Sequence, residues 1–170
     1  MSFTNKLRNR LYLLTLRYES MLWVRFRAGL ISRMIGRQPG GLNIFPDVHI
    51  EGHEGLKIGD KVSLNRGCNI SAGGGLTIGD HVSIGHGVTI VTADHGYDDP
   101  AVPIQEQPMR QAPVRIGSNV WIGAQTVILS GVEIANGTVI AAGSVVTRSV
   151  SEPDTIIGGV PARRLKGRFD

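Results

Sequence analysis

His95 is the side chain in this sequence whose type and position best suit proton transfer. It lies in "IVTADHGYDDP", residues 90–100, beside the carboxylates of Asp94 and Asp98. A free histidine side chain titrates near ~6.5, so at neutral pH it is mostly uncharged and can take a proton from a hydroxyl group. A carboxylate within reach would orient the imidazole. Neighbouring side chains of an extended chain point apart, which makes Asp94 the less favoured partner, and the sequence leaves both open.

The elements that must hold His95 are predicted by a six-residue aliphatic repeat. A period of six fits short strands separated by tight turns, and three such units make a coil of about 18 residues. Stacked coils bury one side chain per unit in a continuous core. We therefore predict an all-β fold, a parallel β-helix solenoid. The repeat positions are Ile44, Ile50, Leu56, Ile58, Leu64, Ile70, Leu76, Ile78, Ile84, Ile90, Val114, Ile116, Ile122, Ile128, Ile134, Ile140 and Val146.

The repeat is interrupted once, over residues 93–113. In-phase positions would be occupied by Gly96, Val102 and Pro108, and only Val114 resumes the pattern. The segment holds four prolines, which cannot donate to a strand ladder. We predict an extruded loop about one coil long that leaves the later register unchanged. His95 stands at its root, and long loops on rigid scaffolds usually carry function.

The repeat units resemble a known family. Units of the form [LIV]-G-x-x-[STAV]-x, with "PVRIGSNVWIGAQTVILSGVEI", "VIAAGSVVT" and "IIGGVPARRLKGR", are similar to the hexapeptide-repeat acyltransferases. The most similar branch is the sugar and polysaccharide O-acetyltransferases, which include galactoside and maltose acetyltransferases. The resemblance covers about residues 44–168. It implies a left-handed β-helix, unlike the usual right-handed crossover, and a homotrimer with active sites between subunits.

The same resemblance implies the reaction and its residues. Acetyl-CoA would donate an acetyl group directly to a carbohydrate hydroxyl, such as that of a surface-polysaccharide precursor, with His95 as general base. Asn65, in "LNRGCNI", would contact the acceptor, and the backbone N–H of Ala124 would face the developing oxyanion. Trp121 and Ala124 fall at positions lining the pantetheine channel, where the size of Trp121 indicates that it faces outward. Further cofactor-path positions are Ala142 and Thr147.

Coenzyme A also carries phosphates, and the sequence has no phosphate-cradling glycine loop. Cationic side chains must then bind them. The candidates are Arg148, Arg163, Arg164, Lys166 and Arg168. Direct transfer needs no acyl-enzyme, and Cys68 lies far along the chain from His95, so a covalent thiol route is not expected.

Residues 1–37 form a separate basic arm, which precedes the β-helix acyltransferase domain of residues 38–170 with its loop 93–113 and its basic tail 161–170. The arm has eight basic residues and one acidic residue, a net charge of +7 within a chain of net +4. Leu7, Leu11, Leu14, Tyr18 and Leu22 recur at spacings of three and four, which predicts one or two amphipathic helices. We expect them to pack on the body or on a neighbouring subunit. The alternative is peripheral docking on an anionic membrane. Nucleic-acid binding is not expected, because no known motif is present.

The composition and the motifs also bear on the compartment and on rival functions. One cysteine and the absence of a signal-peptide pattern favour the cytoplasm, or its membrane face. A zinc enzyme using His81, His86 and His95 is disfavoured, because its histidine pattern would need a ligand at Val91, so no metal is expected. Serine acetylation resembles the chain less, and a non-catalytic scaffold is the alternative of another class.

Overall fold

In the computed structural model, which describes residues 3–170, two α-helices precede a stack of short strands. The helices are α1 (Phe3–Leu14) and α2 (Met21–Met34). The strands are β1 (Asn43–Ile44), β2 (His49–Glu51), β3 (Leu56–Ile58), β4 (Ser63–Leu64), β5 (Asn69–Ser71), β6 (Leu76–Ile78), β7 (Ser83–Ile84), β8 (Thr89–Ile90), β9 (Ala93–His95), β10 (Met109–Gln111), β11 (Val114–Ile116), β12 (Trp121–Ile122), β13 (Val127–Ile128), β14 (Glu133–Ile134), β15 (Val139–Ile140), β16 (Val145–Val146), β17 (Thr155–Gly159) and β18 (Ala162–Gly167). Short 3-10 turns lie at His53–Gly55 and Ile104–Glu106.

The strands form a three-sided solenoid of about six coils. Face A has the order β1-β4-β7-β12-β15-β17-β18, face B the order β16-β13-β8-β5-β2, and face C the order β14-β11-β6-β3. Pairing within each face is parallel, except that β18 turns back antiparallel to β17. Each coil visits A, B and C in turn, so the solenoid has three corners, AB, BC and CA. The predicted parallel β-helix is confirmed.

The aliphatic repeat fills the interior as the sequence predicts. Every predicted repeat position is at most 8% exposed, and the small or β-branched residues that follow, such as Val82 and Thr126, are fully buried. Glycines let successive coils approach: a Cβ at Gly123 would lie 2.4 Å from the backbone nitrogen of Ala142. The core is therefore a narrow column of branched side chains closed by backbone contacts between coils.

The extruded segment leaves the register unchanged, as predicted. Val114 pairs with Leu76, and Ile122 pairs with Ile84, so the coils continue across the insertion. The segment itself is more ordered than a simple loop. β9 and β10 pair antiparallel, with Met109 opposite His95. The predicted extruded loop therefore begins and ends in a two-stranded antiparallel arm, which we call the His95 arm.

The helices cover the first coils of the solenoid and share its core. Tyr12, Leu16, Ile31 and Met34 belong to the same buried cluster as the repeat residues, and the Tyr12 hydroxyl donates to the Val48 carbonyl at 2.6 Å. The predicted apolar stripe, however, is not the packed face. Leu7 and Leu14 are 52% and 73% exposed, because α1 packs through Tyr12 on its opposite side. Leu22, at the start of α2, is also 73% exposed.

Arg27 of α2 is a buried cation within this helical cap. Its side chain is 0% exposed and donates to the carbonyls of Ile44, Thr15 and Tyr18 at 3.0, 2.6 and 3.0 Å. It therefore joins the first coil, the end of α1 and the segment before α2. Burial lowers the pKa of Arg27. Neither helix described in residues 3–170 is long and apolar enough to cross a bilayer.

Candidate active site

His95 ends β9 at corner BC, where the chain leaves face B. Its side chain is exposed and makes no hydrogen bond with any residue of 3–170. The chain on either side of the arm is fixed to the solenoid. The Thr92 hydroxyl donates to the Ser71 carbonyl and accepts from the Gly74 amide, both at 2.9 Å. Ala112 donates to the Thr92 carbonyl, also at 2.9 Å. A solvent-accessible imidazole thus stands on a rigid base.

The two candidate orienting carboxylates have other partners in this chain. Asp94 accepts a short hydrogen bond from the Ser130 hydroxyl, on the next coil of corner BC. Asp98 pairs with Arg110 at 2.6 Å. Both interactions fasten the arm to itself or to the solenoid. Within residues 3–170, no carboxylate is hydrogen-bonded to His95.

Gln107 holds the outer part of the arm together, and the sequence analysis missed it. Its side chain is 7% exposed. Its amide nitrogen donates to the carbonyls of Asp99 and Val102 at 2.9 and 2.8 Å, while its amide oxygen accepts from the Asp99 backbone N–H at 3.3 Å. An amide that satisfies three backbone groups substitutes for a strand ladder where prolines prevent one.

Three of the predicted site residues lie at corner AB, on the other border of face B from His95. Asn65 follows β4, Ala124 follows β12 and Ala142 follows β15. The Asn65 side chain donates to the Ile84 carbonyl at 2.8 Å. The backbone N–H groups of Ala124 and Ala142 have no backbone acceptor within residues 3–170, because each coil spends its ladder bonds on the flanking residues. They remain able to donate to a ligand.

Small residues keep corner AB narrow. A Cβ added at Gly85 would lie 2.7 Å from the Ala124 nitrogen, so a side chain there would crowd this N–H. Trp121 stands beside the corner on β12, 59% exposed, which confirms that it faces outward. The result is an apolar wall next to a column of backbone donors. This combination suits a thin, amide-containing chain.

The remaining predicted residues lie near corner BC and the last coil. Thr147 and Arg148 follow β16, two coils beyond the root of the His95 arm, or about 10 Å at the usual strand spacing. Arg148, Arg163 and Arg164 line one open cavity of about 270 Å³. Arg164 pairs there with Glu152 at 3.1 Å. Three guanidinium groups around one cavity can bind a phosphate group.

The end of the basic tail is a strand that folds back on face A. Lys166 and Arg168 lie on or just after β18. The Lys166 ammonium donates to the Asp170 carbonyl at 3.0 Å, and Arg168 donates to the Gly137 carbonyl at 3.3 Å. These two cations are therefore engaged locally, apart from the cavity of the three arginines.

Cys68 and the other histidines are not assembled with His95. Cys68 is fully buried inside corner AB, and burial raises the pKa of its thiol to about 11. His81 precedes β7 at corner CA, and His86 follows β7 at corner AB. Among residues 3–170 no three His, Cys, Asp or Glu side chains form a group that could hold a metal ion.

Comparison with known proteins identifies relatives of this architecture. Residues 113–148 match the family model described as bacterial transferase hexapeptide (six repeats). The curated relatives include a protein of Mycobacterium tuberculosis named a probable acetyltransferase, which is 39% identical over 121 residues. That alignment covers 70% of this chain and 40% of the relative. The chain spans less than half the length of the first curated relatives that it matches.

Two solved structures are similar over almost the whole chain. A hexapeptide-repeat-containing acetyltransferase from Vibrio cholerae, complexed with acetyl coenzyme A, has a TM-score of 0.84 and 33% identity, covering 98% of this chain and 87% of the other. A galactoside acetyltransferase in complex with coenzyme A has a TM-score of 0.80 and 30% identity, covering 97% and 81%. Both alignments extend beyond the residues of the solenoid. The likeness therefore includes the helical arm, which the sequence analysis placed outside it.

Proposed function

This chain belongs to the hexapeptide-repeat acyltransferase family, and we propose that it transfers acetyl from acetyl-CoA to a carbohydrate hydroxyl, with His95 as general base. The supporting observation is the match over 98% of the chain to an acetyltransferase solved with acetyl coenzyme A. The galactoside acetyltransferase match favours a sugar acceptor. A surface-polysaccharide precursor is the acceptor class that we favour.

The proposed reaction is a direct transfer. The imidazole of His95 takes the proton of the acceptor hydroxyl as its oxygen attacks the thioester carbonyl carbon. The resulting oxyanion receives a hydrogen bond from the Ala124 N–H. The carbon–sulfur bond then breaks, and the leaving thiolate takes the proton from the imidazolium. The products are the acetyl ester and coenzyme A, and no group of the protein is acetylated.

The proposed site lies between copies of the chain. His95 stands at corner BC, whereas Asn65, Ala124 and Ala142 stand at corner AB, on the opposite border of face B. One chain therefore presents two halves of a site that point away from each other. A closed ring of three copies would bring corner BC of one subunit against corner AB of the next. In this arrangement the arginines of the 270 Å³ cavity would bind the coenzyme A phosphates.

The first test measures coenzyme A release from acetyl-CoA with a panel of mono- and oligosaccharides. His95→Ala should lower kcat by about 10²–10⁴-fold, the usual worth of a general base, while the acetyl-CoA dissociation constant stays unchanged. The matched control is His81→Asn, because Asn tolerates the positive φ of 57° at that corner. Wild-type turnover by a folded His95→Ala protein would overturn the assignment, and no turnover by the wild type on any acceptor would favour a scaffold.

The shared site is tested by complementation. His95→Ala and Asn65→Ala subunits, each of low activity alone, are mixed after dissociation and reassembled. If each site takes His95 from one subunit and Asn65 from its neighbour, random mixing restores about a quarter of the sites. No recovery in mixed trimers, or a monomeric mass by light scattering, would contradict this arrangement.

A further inference from the structure

The outward side of α1 is apolar, which is the reverse of what a helix on a protein surface usually shows. Phe3, Leu7, Leu11 and Leu14 are 85%, 52%, 40% and 73% exposed. At 100° per residue these four positions share one side of the helix, and Tyr12, which is 1% exposed, lies opposite. We name these four residues the α1 stripe. Packing within this chain leaves the stripe largely exposed, because α1 contacts the core through Tyr12 on its opposite side.

Cations border this stripe. Lys6 and Arg10 are exposed and make no ion pair within residues 3–170. On the helical projection both fall between the stripe and Leu13, which is 49% exposed. Neither α1 nor α2 contains an acidic residue. The single acidic residue of the arm, Glu19, is engaged by Arg66 of the solenoid.

Three other arm cations, Arg8, Arg27 and Arg37, are engaged by groups of the protein, whereas Arg17 and Arg25 are exposed. Arg27 is buried against carbonyl groups. Arg8 donates to the Arg33 carbonyl at 3.3 Å, and Arg37 pairs with Asp60 at 3.0 Å. Some arm cations therefore fix the helical cap and others are exposed, and of the exposed ones Lys6 and Arg10 lie on α1 beside the stripe. Lys6 and Arg10 are therefore available to the same partner as the stripe.

The combination of exposed leucines, a phenylalanine and unpaired cations indicates what covers the stripe. A second copy docking face to face would bring Lys6 and Arg10 against the same cations, with no carboxylate on either helix to neutralise them. An anionic bilayer offers both an apolar interior for the stripe and negative headgroups for the cations. We propose that α1 docks this protein on anionic membrane surfaces through Phe3, Leu7, Leu11 and Leu14, with Lys6 and Arg10 at the headgroups. The proposal does not depend on the acetyl-transfer reaction.

The test is co-sedimentation of the full chain with vesicles of phosphatidylcholine, alone or mixed with phosphatidylglycerol. We expect binding to the mixed vesicles only, weakened by added salt. Lys6→Glu/Arg10→Glu should reduce partitioning by at least about tenfold, since each cation near such a surface contributes a factor of roughly five. Leu7→Ser/Leu14→Ser should abolish it. The controls are Lys57→Glu and Phe169→Ser, which change an exposed cation and an exposed aromatic side chain outside α1.

Light scattering and acetyl-CoA turnover are measured on the same variants. Retained mass and turnover with lost vesicle binding support the proposal. Equal binding to both vesicle types, no binding by the wild type, or wild-type binding by the stripe variant would each overturn it. A smaller assembly in the stripe variant would also overturn it, because the stripe would then be a contact between subunits.

Discussion

Replacing Gln107 with alanine should loosen the His95 arm without unfolding the solenoid. The side chain makes three hydrogen bonds to backbone groups of Asp99 and Val102 and is almost fully buried. At roughly 1 kcal/mol for each bond, the closed arm loses about 3 kcal/mol, or about 100-fold in its opening equilibrium. The aliphatic core is untouched, so the thermal midpoint should change little.

Hydrogen exchange by mass spectrometry distinguishes loosening of the His95 arm from unfolding of the solenoid. Peptides spanning residues 96–108 should exchange up to about 100-fold faster in Gln107→Ala, while peptides from β12 to β16 keep their protection. The matched control is Gln105→Ala, an exposed glutamine two positions away that should leave exchange unchanged. Unchanged exchange in the arm, or faster exchange throughout the solenoid, would refute the role given to Gln107. Turnover should fall with the loss of order, because His95 stands at the base of the same arm.

Two further substitutions examine the cap and the core. Arg27→Ala should lower the thermal midpoint by roughly 6–12 °C, since it leaves two buried carbonyls and one partly buried carbonyl without a charged donor, a loss of about 3 kcal/mol. Exposed Arg25→Ala should have little effect, and equal midpoints for the two variants would show that the buried guanidinium is dispensable. The Cys68 thiol, with a pKa raised from 9.0 to about 11, should react with iodoacetamide at pH 8 about 100-fold more slowly than a free thiol until urea unfolds the chain. Because this pKa is higher in the folded chain, the stability contributed by neutral Cys68 is present below pH 9.0 and falls as the pH rises toward 11. Cys68→Ala should remove that loss of stability at alkaline pH. A wild-type urea midpoint that stays constant from pH 8 to pH 10.5 would contradict this prediction.

The fold could be predicted from the sequence because each turn commits one aliphatic side chain to the interior. Ile84 and Ile122 pair across the insertion although 37 residues separate them, since only this register buries both. The backbone hydrogen bonds between coils can form with any side chains, so they do not by themselves select the register. Periodicity of this kind is a local signal with a global consequence, so a few repeats establish the register for all of them.

The His95 arm and the helical cap formed by α1 and α2 could not be predicted in the same way, because single polar side chains hold them in place. Gln107 lies in no periodic pattern, and its three acceptor and donor partners become neighbours only after the arm folds. Arg27 did leave a signal that charge counting overlooked. It shares the helical spacing of Val24, Ala28 and Ile31, all of which are buried, so it belongs to the packed side of α2.

The candidate residues lie on the two opposite borders of face B, which explains why a single chain does not contain a complete site. Hexapeptide spacing assigns each residue to a corner of the three-sided solenoid, and it assigns His95 to corner BC and Ala124 to corner AB. No rearrangement within a stiff solenoid can bring them together, because the two successive coils that carry them are joined by backbone ladders on all three faces. Either the reaction uses one corner alone or a second subunit supplies the other. Complementation between His95→Ala and Asn65→Ala subunits decides between these cases, because a one-corner reaction that needs His95 leaves the Asn65→Ala subunits active before any mixing.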